Sequence, residues 1–230
     1  GERGGQEKAV RAMLEESEVR PEPLPAQGLS MGLRDWEKRM KPVGEDLYAC
    51  EVEVTVGWYE EFLMDLLRMR EYELLEKCMI RGIDWREALP ENVRGLQEEL
   101  LFEHGHPDDK HMPVQNISHE AAEAFCRWLT DWYNRQPQKE RRLGEVRFRL
   151  PTAEEWEAAA RGGIESAPYP WGGYYVRNSK GCYLGNFNPG LDTIKSCQSC
   201  PQAYLGEDGG YLTVPAESYF PNSFDLYNCS

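Results

Sequence analysis

Residues 147–163 read RFRLPTAEEWEAAARGG. Arg147, Phe148, Arg149 and Leu150 alternate polar and apolar, the pattern of a half-buried strand. Pro151 cannot extend a sheet ladder and holds Leu150 in extended geometry. Thr152 then stands at an N-cap position with Glu155 three residues on, the spacing of a capping box. Trp156, Ala159 and Ala160 recur at helical spacing, which places them on an apolar face and makes Trp156 a core residue. Arg161 suits the C-terminal end of a helix, and Gly162 can adopt the left-handed backbone that stops one.

Working upstream, MPVQNISHEAAEAFCRWLTDWYN predicts a second helix. Ser118 caps it, Glu120 lies in its first turn, and Ile117 and Ala122 form a weak hydrophobic staple. Phe125, Leu129 and Trp132 share its buried face, with Cys126 packed beside them. Earlier still, LYACEVEV reads as a strand from Leu47. Thr55 then caps a helix on which Tyr59, Phe62, Leu63, Leu66 and Leu67 recur at helical spacing. Residues 72–102 form an acidic helical region broken around Gly82 and Pro90, with Cys78 as a small core residue. Residues 1–44 are polar, carry Pro21, Pro23 and Pro25 at alternate positions, and read as an extended arm with a short helix over residues 10–19. The domain itself is assigned to residues 45–230. Beyond Gly163, Gly, Pro, Asn and aromatic residues predominate, and the chain reads as ordered loops joined by short strands and stapled by aromatic packing.

The 230 residues suffice for a real core. The net charge of -14 opposes binding to nucleic acid or anionic membranes and suits cation binding. No run is long enough for a membrane span. The chain begins at Gly1 rather than Met, which predicts a processed or excised piece.

HGHPDDKH, spanning positions 104–111, gathers three His and two Asp. It contains Pro107 and lacks the spacing of a zinc helix, so it reads as a solvated loop. The seven cysteines are unevenly placed, with Cys182, Cys197, Cys200 and Cys229 all late in the chain. Cys197 and Cys200 form a CxxC pair, which admits three chemistries. Disulfide staples come first, a zinc site completed by Cys182 and Cys229 second, and redox catalysis last, because no βαβ context surrounds the pair.

Several phrases occur in a familiar order: EVTVGWYEEF, MPVQNISHEAAEAFCRWL, RFRLPTAEEWEAAARGG, PYPWGG, LGNFNP, GEDGG and TVPAESYFPNSFDLYN. Together they resemble the formylglycine-generating enzyme, or sulfatase-modifying factor, family over about residues 45–230. The resemblance implies an α+β, loop-rich variant of the C-type lectin fold with little regular secondary structure. RNSKGCYLGNF is similar to members found in Bacteroidota, including lipoproteins of gliding motility and type IX secretion, which use the fold for assembly. MGLRDW at Met31 resembles a remnant of the family's opening strand.

Family enzymes oxidise a client sulfatase cysteine to formylglycine, using oxygen and two copper-binding cysteines that follow a GN-x-W-E-W stretch. These residues contain FDLYNCS where that stretch would begin, so the pair has no counterpart in them. Cys229 stands where the family has an apolar residue, and Asp225 replaces a usual Gly. The family's calcium ligands map to Asn186, Phe187, Asp208 and Gly210, whose oxygen donors suit that ion. A related iron enzyme would need a His triad, and His104, His106, His111 and His119 lack its spacing.

The expectation is therefore a non-catalytic, calcium-stabilised scaffold or interaction domain. It would be exported to the periplasm or cell envelope and would work with protein partners in a secretion or gliding assembly. The alternative is the N-terminal portion of a copper-dependent formylglycine-generating oxidase. Neither reading involves nucleic acid or a membrane span.

Overall fold

Two long helices carry the core. The first, α2 (Val56–Met69), begins where the Thr55 hydroxyl accepts the Trp58 N–H, and it ends at Arg70 in left-handed backbone. The second, α4 (His119–Arg135), is capped by Ser118, whose hydroxyl accepts the Ala121 N–H at 3.1 Å. It stops at Arg135, two residues before Pro137, which has no N–H to continue the ladder. Their facing sides interleave aromatic rings: Phe62 meets Phe125 edge-on at 5.7 Å and packs on Trp128 at 5.6 Å, while Tyr59 stacks on Phe125 at 5.8 Å. Tyr59 is wholly buried and donates its hydroxyl to the Cys78 carbonyl at 2.7 Å, which satisfies the one polar atom it brings inside.

The computed structural model describes residues 22–82, 109–180, 182–186 and 213–229. In chain order the remaining elements are α1 (Leu33–Arg39), β1 (Met40–Gly44), β2 (Leu47–Cys50), α3 (Tyr72–Cys78), a 3-10 turn (Gln138–Glu140) and α5 (Ala153–Ala160). β1 and β2 form an antiparallel hairpin in which Met40 pairs with Cys50 and Gly44 with Leu47. The architecture is mixed helix and small sheet with little regular structure.

Three expectations are corrected here. Residues 29–44 are not arm: Leu29, Trp36 and Met40 belong to the buried core, and β1 is the only strand paired with β2 among the described residues. Trp36 lies at the centre, edge-on to Trp58, Trp132 and Phe148. Pro42 within β1 disguised it, since a sheet of two strands has only edges and so tolerates proline. Residues 1–21 lie outside the described set.

Second, residues 147–150 form no ladder, although their burial alternates as expected. Their strand partner is replaced by α4 side chains. Asn134 donates to the Val146 carbonyl at 2.8 Å and accepts its N–H at 3.1 Å, while the Thr130 hydroxyl accepts the Phe148 N–H at 2.9 Å. Third, Trp156 is 55% exposed rather than buried, and α5 turns only Ala160 fully inward.

Two buried carboxylates tie the N-terminal segment to this core. Asp65, 2% exposed, accepts the N–H groups of Gln27 at 2.8 Å and Gly28 at 2.7 Å and the Trp128 indole N–H at 3.0 Å. Gly28 has no substitute there: its φ is +80° and a Cβ would sit 1.6 Å from Trp132 Cδ1. Glu37 accepts the Tyr133 hydroxyl and the Arg142 N–H.

Replacing Asp65 with Ala strands three donors that water cannot easily reach, so stability should fall by roughly 2–4 kcal/mol. Amide exchange at Gly28 should accelerate more than exchange within α4, as read by hydrogen-exchange mass spectrometry. The capping box gives a second expectation. The Arg149 guanidinium, bonded to both Glu155 oxygens at 2.6 Å, and the Thr152 N–H pull the Glu155 carboxyl down to about 2. Because the folded value lies below the ordinary 4.5, this stabilisation is present above that pH and is lost as pH falls towards 2. Carboxylate NMR should therefore show Glu155 titrating well below the ordinary 4.5, and Arg149→Ala should move its midpoint upward.

Candidate functional site

The described late segments, which carry Cys182, Asn186 and Cys229 of the expected ion and thiol positions, are built from turns. Asn178 organises the first: its side-chain oxygen accepts the N–H groups of Lys180 and Cys182, both at 3.0 Å, while its own N–H bonds the Cys182 carbonyl at 2.9 Å. Asn is favoured for this because its side chain imitates a backbone carbonyl. Leu184 N–H bonds the Val176 carbonyl at 3.1 Å, and Arg177 lies over the Tyr183 ring at 4.0 Å. This small hairpin delivers Asn186, which is half-buried. Phe187, Asp208 and Gly210 lie outside the described residues, so Asn186 is the one described member of the expected calcium set.

The final turn is organised by Asn222, a residue that sequence reasoning missed. Its amide nitrogen donates to the Ala159 carbonyl at 2.8 Å and the Ala160 carbonyl at 3.0 Å at the C-terminal end of α5, where Ala159 also accepts the Gly162 N–H at 3.0 Å. Its amide oxygen accepts the N–H groups of Phe224 at 2.9 Å and Leu226 at 3.2 Å. One buried amide thus joins the helix of the opening phrase to the tail. The signal available in the sequence was Pro221-Asn222-Ser223, turn chemistry that follows the Gly162-Gly163 pair by a long interval. Those glycines matter twice over: both have positive φ, and a Cβ would meet Ser223 N at 3.0 Å from Gly162 and Phe224 Cζ at 2.9 Å from Gly163. Asp225, which replaces the usual Gly, keeps the turn by adopting a φ of +59° itself.

Five described cysteines, Cys50, Cys78, Cys126, Cys182 and Cys229, carry free thiols. Burial pushes Cys50 up to about 11, and burial with the neighbouring Glu53 carboxylate pushes Cys229 up to about 11. Burial also raises Cys78 and Cys126. These four are neutral at physiological pH and are poor nucleophiles and metal ligands as they stand. Cys182 is exposed, and Cys197 and Cys200 lie outside the described residues. Among the described residues no group of three or more His, Cys, Asp or Glu could hold a metal. His111 and Asp109 are the described remainder of the HGHPDDKH cluster with Lys110; the Asp109 carboxylate accepts the His111 backbone N–H at 3.0 Å, a turn rather than a ligand pair.

Among the described residues a mixed helix-and-hairpin core, followed by segments tied by asparagine-centred turns, defines the class. The chain belongs to the family of the sulfatase-modifying factor enzyme 1-like domain, whose model matches residues 30–230. It is 28% identical over 194 residues to the inactive C-alpha-formylglycine-generating enzyme 2 of Bos taurus, covering 81% of this chain and 50% of that protein. It is 30% identical over 149 residues to the formylglycine-generating enzyme of Mus musculus, covering 65% of this chain and 30% of that protein. To the formylglycine-generating enzyme of Thermomonospora curvata it is 33% identical over 124 residues, covering 53% and 31%. The chain spans half or less of the length of these relatives. No described helix is long and apolar enough to cross a membrane.

Asn222→Asp keeps the acceptor and removes the donor that holds Ala159 and Ala160. It should therefore destabilise the domain by about 1–3 kcal/mol in denaturant unfolding. Asn222→Ala should cost more, because the Phe224 and Leu226 N–H groups lose their acceptor as well. Equal stability of wild type and both variants would remove the assigned role.

Proposed function

We propose that this chain is a non-catalytic, calcium-stabilised scaffold or interaction domain in the C-type-lectin-like variant fold. It is exported to the periplasm or cell envelope and serves a secretion or gliding assembly through protein partners rather than nucleic acid. The observation that carries the non-catalytic reading is the similarity to proteins named as inactive members of the family, and the neutral thiols at Cys50 and Cys229 agree with it. Oxidation of a client cysteine asks for accessible thiolates or a metal-bound pair. Here burial holds Cys50 and Cys229 at about 11.

The calcium part rests on donor chemistry. Asn186, Phe187, Asp208 and Gly210 offer an amide oxygen, a carboxylate and two carbonyls, all hard oxygen donors of the kind that calcium takes in sets of about six to eight. The Asn178 turn, which bonds Lys180 and Cys182, lies a few positions before Asn186, the one described donor. When bound, the ion would tie two Gly-rich loops together. At Cys182, Cys197, Cys200 and Cys229, of which Cys182 and Cys229 are reduced thiols here, we favour disulfide staples formed on export, with zinc as the second reading. Copper belongs only to a longer catalytic form.

The alternative, the N-terminal portion of a copper-dependent formylglycine-generating oxidase acting on a sulfatase cysteine, is favoured by the 33% identity to the Thermomonospora curvata enzyme. Two measurements separate the readings. Saturating calcium should raise the melting temperature by about 5–10 °C over chelator, the shift expected of a ligand at roughly a hundredfold excess over its Kd. An unchanged melting temperature would defeat the calcium reading. A sulfatase peptide incubated with the chain, copper and oxygen should keep its cysteine mass; formylglycine formation would defeat the scaffold reading.

A further inference from the structure

A groove of about 1080 Å³ opens between residues 27–31, one face of α2, residues 110–111 and residues 215–217. Val52, Trp58 and Ala216 are buried in its lining, and exposed Met64 joins them from α2. The Trp58 ring is held by Arg39, which lies 5.5 Å from its centroid and bonds Glu51 and Glu217, each at 2.8 Å. Two walls of the groove are irregular chain, and they are anchored unequally.

The wall at residues 27–30 is held by carboxylates. Gln27 and Gly28 give their N–H groups to Asp65 at 2.8 and 2.7 Å, and the Ser30 N–H goes to Glu61 at 2.8 Å. Bonds to a charged acceptor are about twice as strong as neutral ones. The wall at residues 213–217 has weaker holds. Val214 and Ala216 are buried, and among the described residues the backbone N–H bond of this wall runs from Ala216 to the His111 carbonyl at 3.2 Å. The Pro215 carbonyl accepts the Asn228 amide at 3.1 Å. Glu217, its side chain 54% exposed, meets Arg39. Arg39 keeps Glu51 when Glu217 leaves, so detachment strands no cation. Closure also carries a penalty. Thr213 Oγ1 and Asn228 Oδ1 are buried and find no protein partner among the described residues. A buried oxygen without a partner disfavours the state that buries it.

We propose that residues 213–217 are a strap that swings off this groove and back while residues 27–30 stay fixed, so that the groove has a narrow and a wide form. Burial of Val214 and Ala216 and an exposed ion pair that salt can screen keep the narrow form. The wide form gives the Thr213 and Asn228 oxygens access to water. A segment held in this way opens at a free energy below that of global unfolding, as the movable parts of binding clefts do. Neither the scaffold nor the oxidase reading is needed for this.

The test is residue-resolved amide hydrogen exchange of the 230-residue chain by NMR. Protection at the Ala216 N–H should be at least about tenfold below that at the Gly28 N–H, because the strap opens without the rest of the fold. Two substitutions should move Ala216 in opposite directions while Gly28 holds still. Glu217→Gln removes the ion pair and should speed Ala216 exchange about threefold, the worth of an exposed pair. Thr213→Val keeps the side-chain shape, removes the unpaired hydroxyl and should slow Ala216 exchange about fivefold. Raising salt to about 1 M should speed the wild type and leave Glu217→Gln unmoved. Equal protection at Ala216 and Gly28, or either substitution failing to shift Ala216 in its stated direction, would overturn the proposal. So would an equal salt response in wild type and Glu217→Gln, or a parallel shift at Gly28, which would mean global rather than local opening.

Discussion

Backbone groups in this domain depend on side chains for their partners, because the described residues contain a single two-stranded sheet. A buried N–H or C=O without a partner costs about as much as a lost hydrogen bond, so a loop-rich domain has to supply substitutes. Asp65 supplies acceptors to residues 27 and 28, Thr130 and Asn134 hold residues 146–148, and Asn222 serves both α5 and the tail. In each case an amide, hydroxyl or carboxylate on one element reaches irregular backbone elsewhere. The aromatic core between α2 and α4 provides the driving force, but these polar anchors determine where each loop lies.

The local signals were legible and the long-range ones were not. Thr55, Ser118 and the Thr152–Glu155 box announced their helices, because capping is chemistry within one turn. The apolar spacing of Tyr59, Phe62, Phe125 and Leu129 announced the buried faces. By contrast, the alternation in residues 147–150 was read as a strand because alternation reports burial, not the identity of the hydrogen-bonding partner; here the partner is a helix. Trp156 follows helical spacing yet faces solvent, since its helix is docked only through its last turn. Residues 29–44 read as arm because their polar composition hides three deeply buried side chains, Leu29, Trp36 and Met40.

The candidate site divides along the same line. The turn that places Asn186 could be anticipated from Asn178 and its neighbours, whereas the role of Asn222 depends on carbonyls more than sixty positions earlier. The thiols depended on burial, which spacing cannot report: Cys50 and Cys229 lie far apart in the chain, yet both are held neutral by burial.

Arg39 has one further consequence. It meets Glu217 across 178 positions, while Glu51 receives the Tyr227 N–H and His111 the Ala216 N–H. The first hairpin and the last described segment are thus mutual partners, and synthesis must pass residue 217 before they can meet. During synthesis the hairpin leaves the ribosome with its charge network half-assembled and one wall of the α2 groove missing. Such long closures are slow relative to helix formation. The α2–α4 core can consolidate first, and residues 213–229 then close on the hairpin as a late clasp, leaving an interval in which a nascent chain is vulnerable to proteases and accessible to chaperones.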